Sequence, residues 1–290
     1  MAWNLCGVAM GRRLVILAGL VLSEACAEVP VPVDEPSSAV NYADDPLAGL
    51  SRAYGIEVVT AGLHFPVTTR HGMITGAAAE ERAIAWYTPL FVQEFSLYPP
   101  SLVRRSGLSR VVFCENLSFN GQPRNAIPDF EHNDLYLETT RGSFAPDYMQ
   151  TVIHHEFFHL IDYRDDGVVY GDDSWAAINA SSMRYGTGGR NAQHRREGSM
   201  LASSCPGFLD SYATTGVEED KAELFANMIV NSTAVSDLAR SDPVLAAKVD
   251  RMKQLMHEFC PDMNDGFWAK AARLDRRYWG TMRSSGASAP

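Results

Sequence analysis

The sequence is short of basic residues, of cysteine and of long apolar segments. Among its 290 residues, 25 lysines and arginines stand against 35 aspartates and glutamates, which gives a net charge of −10. Such a chain lacks the basic surface that nucleic acid or an anionic membrane requires. Beyond the amino terminus, no apolar segment approaches the roughly 20 residues that span a bilayer, and no segment repeats at a fixed period. With 46% hydrophobic residues, the chain can form one large domain or two small ones.

The amino terminus is the exception to this shortage of apolar segments. Arg12 and Arg13 precede an apolar run at residues 14–22, and the small residues around Cys26 follow it. This order is typical of a secretory signal peptide over residues 1–27, with a short buried helix as the alternative. We therefore expect an exported protein, secreted or periplasmic, and lipid attachment at Cys26 is the less favoured option.

The expected domain organisation follows from composition. Residues 28–48 are rich in proline, aspartate and serine and predict a flexible linker. A single folded domain is expected over residues 49–280, followed by a disordered tail at residues 281–290. Residues 186–204 are rich in glycine, serine and arginine without periodicity, which predicts a long surface loop.

Cysteine is scarce, and two of the five cysteines lie in the leader, at Cys6 and Cys26. After removal of the leader, Cys114, Cys205 and Cys260 allow one disulfide and one remaining thiol. Because Cys114 stands in an apolar run typical of a buried strand, Cys205–Cys260 is the favoured pair. The sequence leaves the other pairings open.

Two of the eight histidines form the pattern His155-Glu156-x-x-His159. Four residues make about one helical turn, so both imidazoles lie on one face and can hold one metal ion. Glu156 can then reach a water molecule beside the ion and act as a general base. The alternative is a helix with surface histidines, but the apolar residues around the motif predict a buried helix. Buried histidines need partners, and one zinc ion would supply them.

A catalytic zinc site takes three protein ligands and keeps one position open, and two acidic residues compete to be the third ligand. Asp165 has the spacing of the metzincin pattern, which requires a glycine where this chain has Asp162. Glu219 lies on a predicted helix with Glu223 four residues further, on the same face. Glu219 can bind the metal while Glu223 accepts a hydrogen bond from an imidazole. The alternative is a solvated acidic helix start, and Glu219 is favoured over Asp165.

Two other residues near the motif have predicted roles. Asp162 lies on the same side of the helix as His155 and His159, so we expect it to lie next to the metal ligands and to support them. His154 projects about 100° away from His155, so it is expected to pack or to bond locally rather than to bind metal.

The periodicity of the remaining chain predicts an α+β fold with a small mixed sheet, an active-site helix and a mostly helical C-terminal half. Strands are expected near residues 54–60, 110–114 and 134–139. Helices are expected over residues 75–96, 218–230, 242–260 and 265–279.

The motif helix together with the glutamate helix resembles the glutamate-zincin (gluzincin) arrangement. Over about residues 75–275 the chain is similar to the catalytic domain of anthrax lethal factor and to a family of exported zinc-binding metallopeptidases. The resemblance also rests on residues outside the metal motif, which are Asp162, Trp175, Asn179, Tyr185, Gly207, Phe208, Ser211, Tyr212 and Ala213.

The resemblance implies a zincin-like fold and a secreted zinc metalloendopeptidase. It implies that Tyr212 points its hydroxyl at the scissile carbonyl oxygen, where a phenol can stabilise an oxyanion; a packing role for Tyr212 is the alternative. Peptidases of this kind place a strand before the metal helix beside the substrate. We therefore expect an extended peptide to bind along a free edge at residues 134–139. A non-catalytic exported zinc-binding or adhesion module with the same fold is a second hypothesis, and a hydrolase of non-peptide amides is a third.

Overall fold

A ten-residue strand, Arg110–Phe119, is the centre of the sheet in the computed structural model of the chain. The structure describes residues 45–142, 145–168, 170–186, 188 and 205–276, which belong to the compact unit Ala39–Pro290. The strands, β1 to β7, are Glu57–Val59, Val67–Thr69, Gly72–Ala78, Arg110–Phe119, Gln122–Pro123, Ala126–Asp129 and Asp134–Glu138. Within the described ranges, helices α1 to α9 are Pro46–Tyr54, Glu81–Phe95, Pro100–Ser106, Pro146–Asp166, Asp173–Ala176, Val217–Val230, Ser232–Ala239, Pro243–Phe259 and Asp265–Arg273.

The strands form one mixed sheet in the order β2-β3-β4-β7-β6, with β1 and β5 also paired to β4. β7 runs parallel to β4, with Leu135 opposite Val111. It runs antiparallel to β6, with Tyr136 opposite Ile127. The small mixed sheet, followed by a mostly helical second half, confirms the predicted α+β fold class.

The expectation of a free edge at residues 134–139 is wrong, because β7 is hydrogen bonded to a strand on each side. On the β7 side of the described sheet the outer strand is β6, which packs against α4. Proline cannot donate a ladder hydrogen bond and is therefore confined mainly to edge strands, and Pro128 occupies such a position in β6. β6 is a four-residue strand that follows the Asn120-Gly121 turn. Because it is short and contains this proline, the periodicity of the sequence does not predict it.

The predicted helix over residues 75–96 begins later than expected. Residues Gly72–Ala78 instead form β3, which pairs with the C-terminal half of β4, and α2 begins at Glu81. Its remaining course matches the prediction, with Tyr87, Phe91 and Phe95 fully buried. The last predicted helix ends earlier, since α9 stops at Arg273.

Helix α4 carries the histidine motif and is buried as predicted. Pro146 stands at its first position, and Gly167 ends it in the left-handed conformation with φ of 76°. The Phe157 ring packs against α2 and the following turn, with its centroid 5.1 Å from that of Phe95. The Phe158 ring lies 4.9 Å from that of Phe225 on α6. These apolar contacts fix α4 between the sheet and the helices of the second half.

Several predictions for the termini and the long loop fall outside the described residues. They concern the signal peptide at 1–27, the linker up to residue 44, the tail at 281–290 and most of the loop at 186–204. At the amino-terminal boundary, α1 already begins at Pro46, capped by the Asp45 carboxylate, so regular structure starts before residue 49. Within the described ranges, no helix combines the length and the apolar character needed to cross a membrane.

The predicted disulfide between Cys205 and Cys260 is wrong. Cys260 carries a free thiol whose Sγ lies 3.5 Å from Oγ of Ser101. Gly207, two residues after Cys205, accepts a hydrogen bond from Lys248 in the first half of α8, whereas Cys260 follows the end of that helix.

Candidate metal centre

The two motif histidines meet on one face of α4. Their Nε2 atoms lie 3.1 Å apart, and their ring centroids are 4.8 Å apart. His155 is buried and His159 is nearly so. The spacing of four residues therefore places both imidazole nitrogens at one point beside the helix.

Glu219, in the first turn of α6, supplies a carboxylate at the same point. Its Oε2 lies 3.1 Å from Nε2 of His155 and 3.6 Å from Nε2 of His159. The ligand atoms of these three residues lie within 4.8 Å of one another. Asp165 is not part of this group, because α4 continues without a turn through Asp162 to Asp166.

The spacing of the three ligand atoms suits a small tetrahedral cation. Zinc bonds of about 2.0–2.1 Å place neighbouring ligand atoms about 3.3–3.4 Å apart in a tetrahedron. The three separations here are 3.1, 3.1 and 3.6 Å. Two imidazole nitrogens and one carboxylate oxygen also form a donor set that catalytic zinc uses. The group can therefore hold a metal ion, and zinc fits both its geometry and its chemistry.

The carboxylates beside the two motif histidines favour a positive charge on the imidazoles. Burial lowers the pKa of His155, but the carboxylates of Glu219 and Glu223 outweigh burial and raise it well above the usual range. Burial raises the pKa of Glu219, but hydrogen bonds from His155 and His159 outweigh that effect and lower it. Protons and a metal ion therefore compete for the imidazoles, because only neutral imidazole binds metal.

Two further carboxylates, those of Glu223 and Asp210, interact with His155. Oε1 of Glu223 is 3.2 Å from Nδ1 of His155, although the direction of the contact is not that of a hydrogen bond. Asn227 donates to the other Glu223 oxygen at 3.1 Å. Asp210, which sequence reasoning missed, is partly buried, and burial together with Glu223 raises its pKa to about 6. The only sequence signal for Asp210 is its place just before the Ser211-Tyr212 pair.

Glu156 and Tyr212 adjoin the metal-ligand group. Glu156 is partly exposed on α4, and burial of its carboxylate raises its pKa despite the neighbouring imidazoles. The Tyr212 ring centroid lies 6.1 Å from that of His155. Burial, the charge of Glu219 and a hydrogen bond with that carboxylate raise the pKa of Tyr212 well above 10. The phenol therefore keeps its proton and can act as a donor at this site.

Asp162 pairs with a lysine of α6. Its Oδ1 lies 2.5 Å from Nζ of Lys221 on α6, and its charge also acts on His159. Among the described contacts, Asp162 therefore joins α4 to α6 through an ion pair and forms no hydrogen bond with an imidazole.

His154 points away from the metal-ligand group, as predicted, but its partners are distant in sequence. Nδ1 lies 2.6 Å from the Tyr98 hydroxyl, and Nε2 lies 3.0 Å from the Glu94 carboxylate. Arg276 also binds Glu94, at 2.8 Å. His154 therefore connects α4 to α2, and Arg276 connects the end of the described chain to the same carboxylate.

Comparison with known proteins gives one informative likeness, at the level of the fold. No protein-family model and no curated protein matches the sequence. Among solved structures, the chain is similar to a "putative zinc-binding metallo-peptidase" from Bacteroides caccae, with a TM-score of 0.52 and 17% sequence identity. The match covers 80% of this chain and 90% of the other. The fold is therefore metallopeptidase-like, and it carries a histidine and glutamate group able to hold a metal ion.

Proposed function

We propose that the chain is an exported zinc-dependent metalloendopeptidase of the gluzincin type. The observation that carries the proposal is the convergence of His155, His159 and Glu219 to within 4.8 Å, with Glu156 beside them on α4. A structural zinc site is closed by four protein ligands, whereas this group has three members among the described residues. The metallopeptidase-like fold supports the same conclusion, and the signal-peptide pattern at residues 1–27 supports export.

The side chains around the group have separate tasks in peptide hydrolysis. Bound zinc would polarise a water molecule and the substrate carbonyl. Glu156 takes a proton from the water and passes it to the leaving amine, a role that its raised pKa suits. Tyr212 donates a hydrogen bond to the carbonyl oxygen as negative charge develops there. Glu223 places a carboxylate 3.2 Å from Nδ1 of His155, where its charge favours a proton on that nitrogen and leaves Nε2 for the metal.

We assign the substrate to the edge of β6 in place of β7. An extended peptide can add to a sheet through its free edge, using backbone hydrogen bonds. β6 packs against α4, and just beyond its end the Phe130 ring lies 4.9 Å from that of Tyr163, near the end of α4. A peptide paired with β6 would therefore run beside the helix that carries Glu156.

The proposal is tested by separating zinc binding from hydrolysis. Glu156→Gln should keep zinc and lose peptidase activity by about 10²- to 10⁴-fold, because it removes the general base and no metal ligand. Glu219→Ala should lose zinc and activity together. Zinc content is measured on the purified proteins, and hydrolysis is measured on a mixture of fluorogenic peptides.

The matched control is Asp165→Asn, which changes an exposed carboxylate on the same helix and should preserve both properties. Undiminished hydrolysis by Glu156→Gln would contradict the mechanism. Zinc binding without cleavage of any peptide by the unchanged protein would favour the non-catalytic zinc-binding module instead.

A further inference from the structure

Glu219 occupies a part of α6 that is not fixed by an N-terminal cap. The helix begins after Gly216, which has no side chain to accept hydrogen bonds from the first turn. The backbone N–H groups of a first turn have no partners within the helix, and helix ends fray readily. A metal ligand at this place therefore needs another means of support.

Asp220, the residue after Glu219, accepts hydrogen bonds from three side chains. Asp220 is 2% exposed, and its Oδ2 accepts hydrogen bonds from Trp175 Nε1 at 2.8 Å, the Tyr185 hydroxyl at 2.5 Å and Lys248 Nζ at 2.7 Å. Asn179 donates to the Tyr185 oxygen at 2.9 Å and orients it. Asp220 is thus fixed from the segment after α4 and from α8.

Lys248, the cation in this cluster, is itself held on several sides. The side chain is fully buried. Its Nζ donates to the Gly207 carbonyl oxygen at 2.7 Å and lies 3.6 Å from the centre of the Phe208 ring. A buried ammonium with a carboxylate, a carbonyl and an aromatic face around it has little freedom to move.

Lys221, the next residue of α6, is tied to different elements. It is 2% exposed, and its Nζ lies 2.5 Å from Asp162 on α4 and 3.0 Å from Asp172. Asp172 caps α5 by accepting from the backbone N–H of Trp175 at 2.9 Å. One short segment, from Asp172 to Trp175, therefore contacts two consecutive residues of α6.

We propose that Asp172, Trp175, Tyr185 and Lys248, here called the clamp, position Glu219 for metal binding. Consecutive residues project from a helix about 100° apart. When Asp220 and Lys221 are each held by different elements, the first turn of α6 cannot rotate, and the Glu219 carboxylate stays directed at His155. The inference rests on the proposed function, because it takes Glu219 as a ligand of the metal.

The clamp also explains residues that the metal chemistry leaves unused. Five residues outside the metal-ligand group each contact Asp220, Tyr185 or Lys248; they are Trp175, Asn179, Tyr185, Gly207 and Phe208. Their common feature is therefore support of the first turn of α6, and none of them belongs to the metal-ligand group.

The test measures the dissociation constant for zinc in the full chain, by competition with a chelating dye. Asp220→Asn and Lys221→Met should each weaken zinc binding by about tenfold, the lower end of the range for groups that support a metal ligand. Tyr185→Phe removes one donor to Asp220 and should weaken it less. With Co²⁺ in place of zinc, these variants should also change the visible absorption spectrum, which reports ligand geometry.

The control is Asp134→Asn. This carboxylate is also fully buried and is paired with Arg110 in the sheet, with Nε of Arg110 3.0 Å away. The Asp134→Asn variant should have a lower thermal midpoint than the unchanged protein. Its zinc affinity should stay within about twofold of the unchanged protein, because β7 carries no metal ligand.

Two results would overturn the clamp. One is zinc affinity and Co²⁺ spectra unchanged in Asp220→Asn and Lys221→Met; the other is an equal loss of affinity in Asp134→Asn, which would show a general effect of destabilisation. Should Asp220→Asn fail to fold, Tyr185→Phe and Trp175→Phe decide the question by the same criteria. If the unchanged protein binds no zinc, the proposed function is wrong. If the unchanged protein and the variants all bind zinc equally well, only the clamp is wrong.

Discussion

Helices α4 and α6 each supply part of the metal-ligand group, yet they are held in place by different forces. α4 is fixed mainly by apolar packing, with Phe157 and Phe158 fully buried. After Val217, α6 has four consecutive charged residues at 218–221, all of them buried, and its Asp220 and Lys221 are fixed by ion pairs. The energy of apolar packing changes gradually as side chains change in shape. A buried charge, in contrast, destabilises the fold as soon as its partner is removed. The half of the site on α6 is therefore the more fragile half.

The largest expected effect comes from removing the cation that pairs with Asp220. Lys248→Met leaves a carboxylate buried without its counter-charge, and loss of one partner of such a pair costs about 3–5 kcal/mol of unfolding free energy. The double variant Asp220→Asn/Lys248→Met removes both charges and should recover part of this loss. Urea unfolding of both variants provides the measurement. A double variant less stable than Lys248→Met would show that α6 is not held by charge pairing.

Metal removal comes next and tests how strongly the two helices are joined. A ligand that binds only the folded protein stabilises it by about 2.7 kcal/mol at a free concentration 100 times its dissociation constant. The proposed zinc ion joins His155 and His159 on α4 to Glu219 on α6. Stripping it with a chelator should therefore lower the thermal midpoint, and added zinc should restore it.

Glu219→Ala is the control for metal removal. Because this variant lacks the α6 ligand, its thermal midpoint should hardly respond to zinc. An equal response in Glu219→Ala and in the unchanged protein would place the stabilising ion elsewhere.

A smaller effect is expected from pH, through the clamp residue Asp172. Burial raises the pKa of this carboxyl, but hydrogen bonds from Ser174 and Trp175 and the charge of Lys221 outweigh it and lower the pKa to about 2. Since the unfolded value is 3.8, the ionised group contributes about 2 kcal/mol of stability. A lowered pKa means that this contribution is complete above about pH 4 and is lost as the pH falls through 2.

Asp172→Asn lacks this contribution at every pH. The difference in unfolding free energy between the unchanged protein and the variant should therefore be greatest near pH 6 and shrink between pH 4 and pH 2.5. Urea unfolding at these pH values measures it, and a difference independent of pH would contradict the assignment.

The contrast between α4 and α6 also explains which parts of the site could be predicted from the sequence. The spacing of His155 and His159 within one helix predicts that both can bind one metal ion. In the same way, the spacing of Glu219 and Glu223 places both on one face of α6. The clamp could not be predicted, because Lys248 is 28 residues from Asp220 and Asp172 is 49 from Lys221. Nothing in local periodicity shows which distant charge completes a buried pair.

The wrong predictions have similar causes. β6 is too short for periodicity to reveal, so the sequence predicts a free edge on the neighbouring strand, which that strand does not have. The predicted pairing of Cys205 with Cys260 rests on the count of cysteines and on the apolar surroundings of Cys114, and neither shows where the two chain segments lie in the fold. In both cases the deciding factor is a tertiary neighbour, which local sequence does not specify.

The smallest expected effect is a conservative change on α4. Ile153 is fully buried, one residue before the His154–Glu94 contact, and Ile153→Val removes one methylene group from the packed core. Such a change costs about 0.5–1.5 kcal/mol and should leave the zinc dissociation constant within about twofold, because the remaining apolar contacts still fix the helix. Urea unfolding and dye competition on one preparation give both numbers. A tenfold loss of zinc affinity in Ile153→Val would mean that α4 depends on exact packing as much as α6 depends on its charges, and the contrast between the helices would fail.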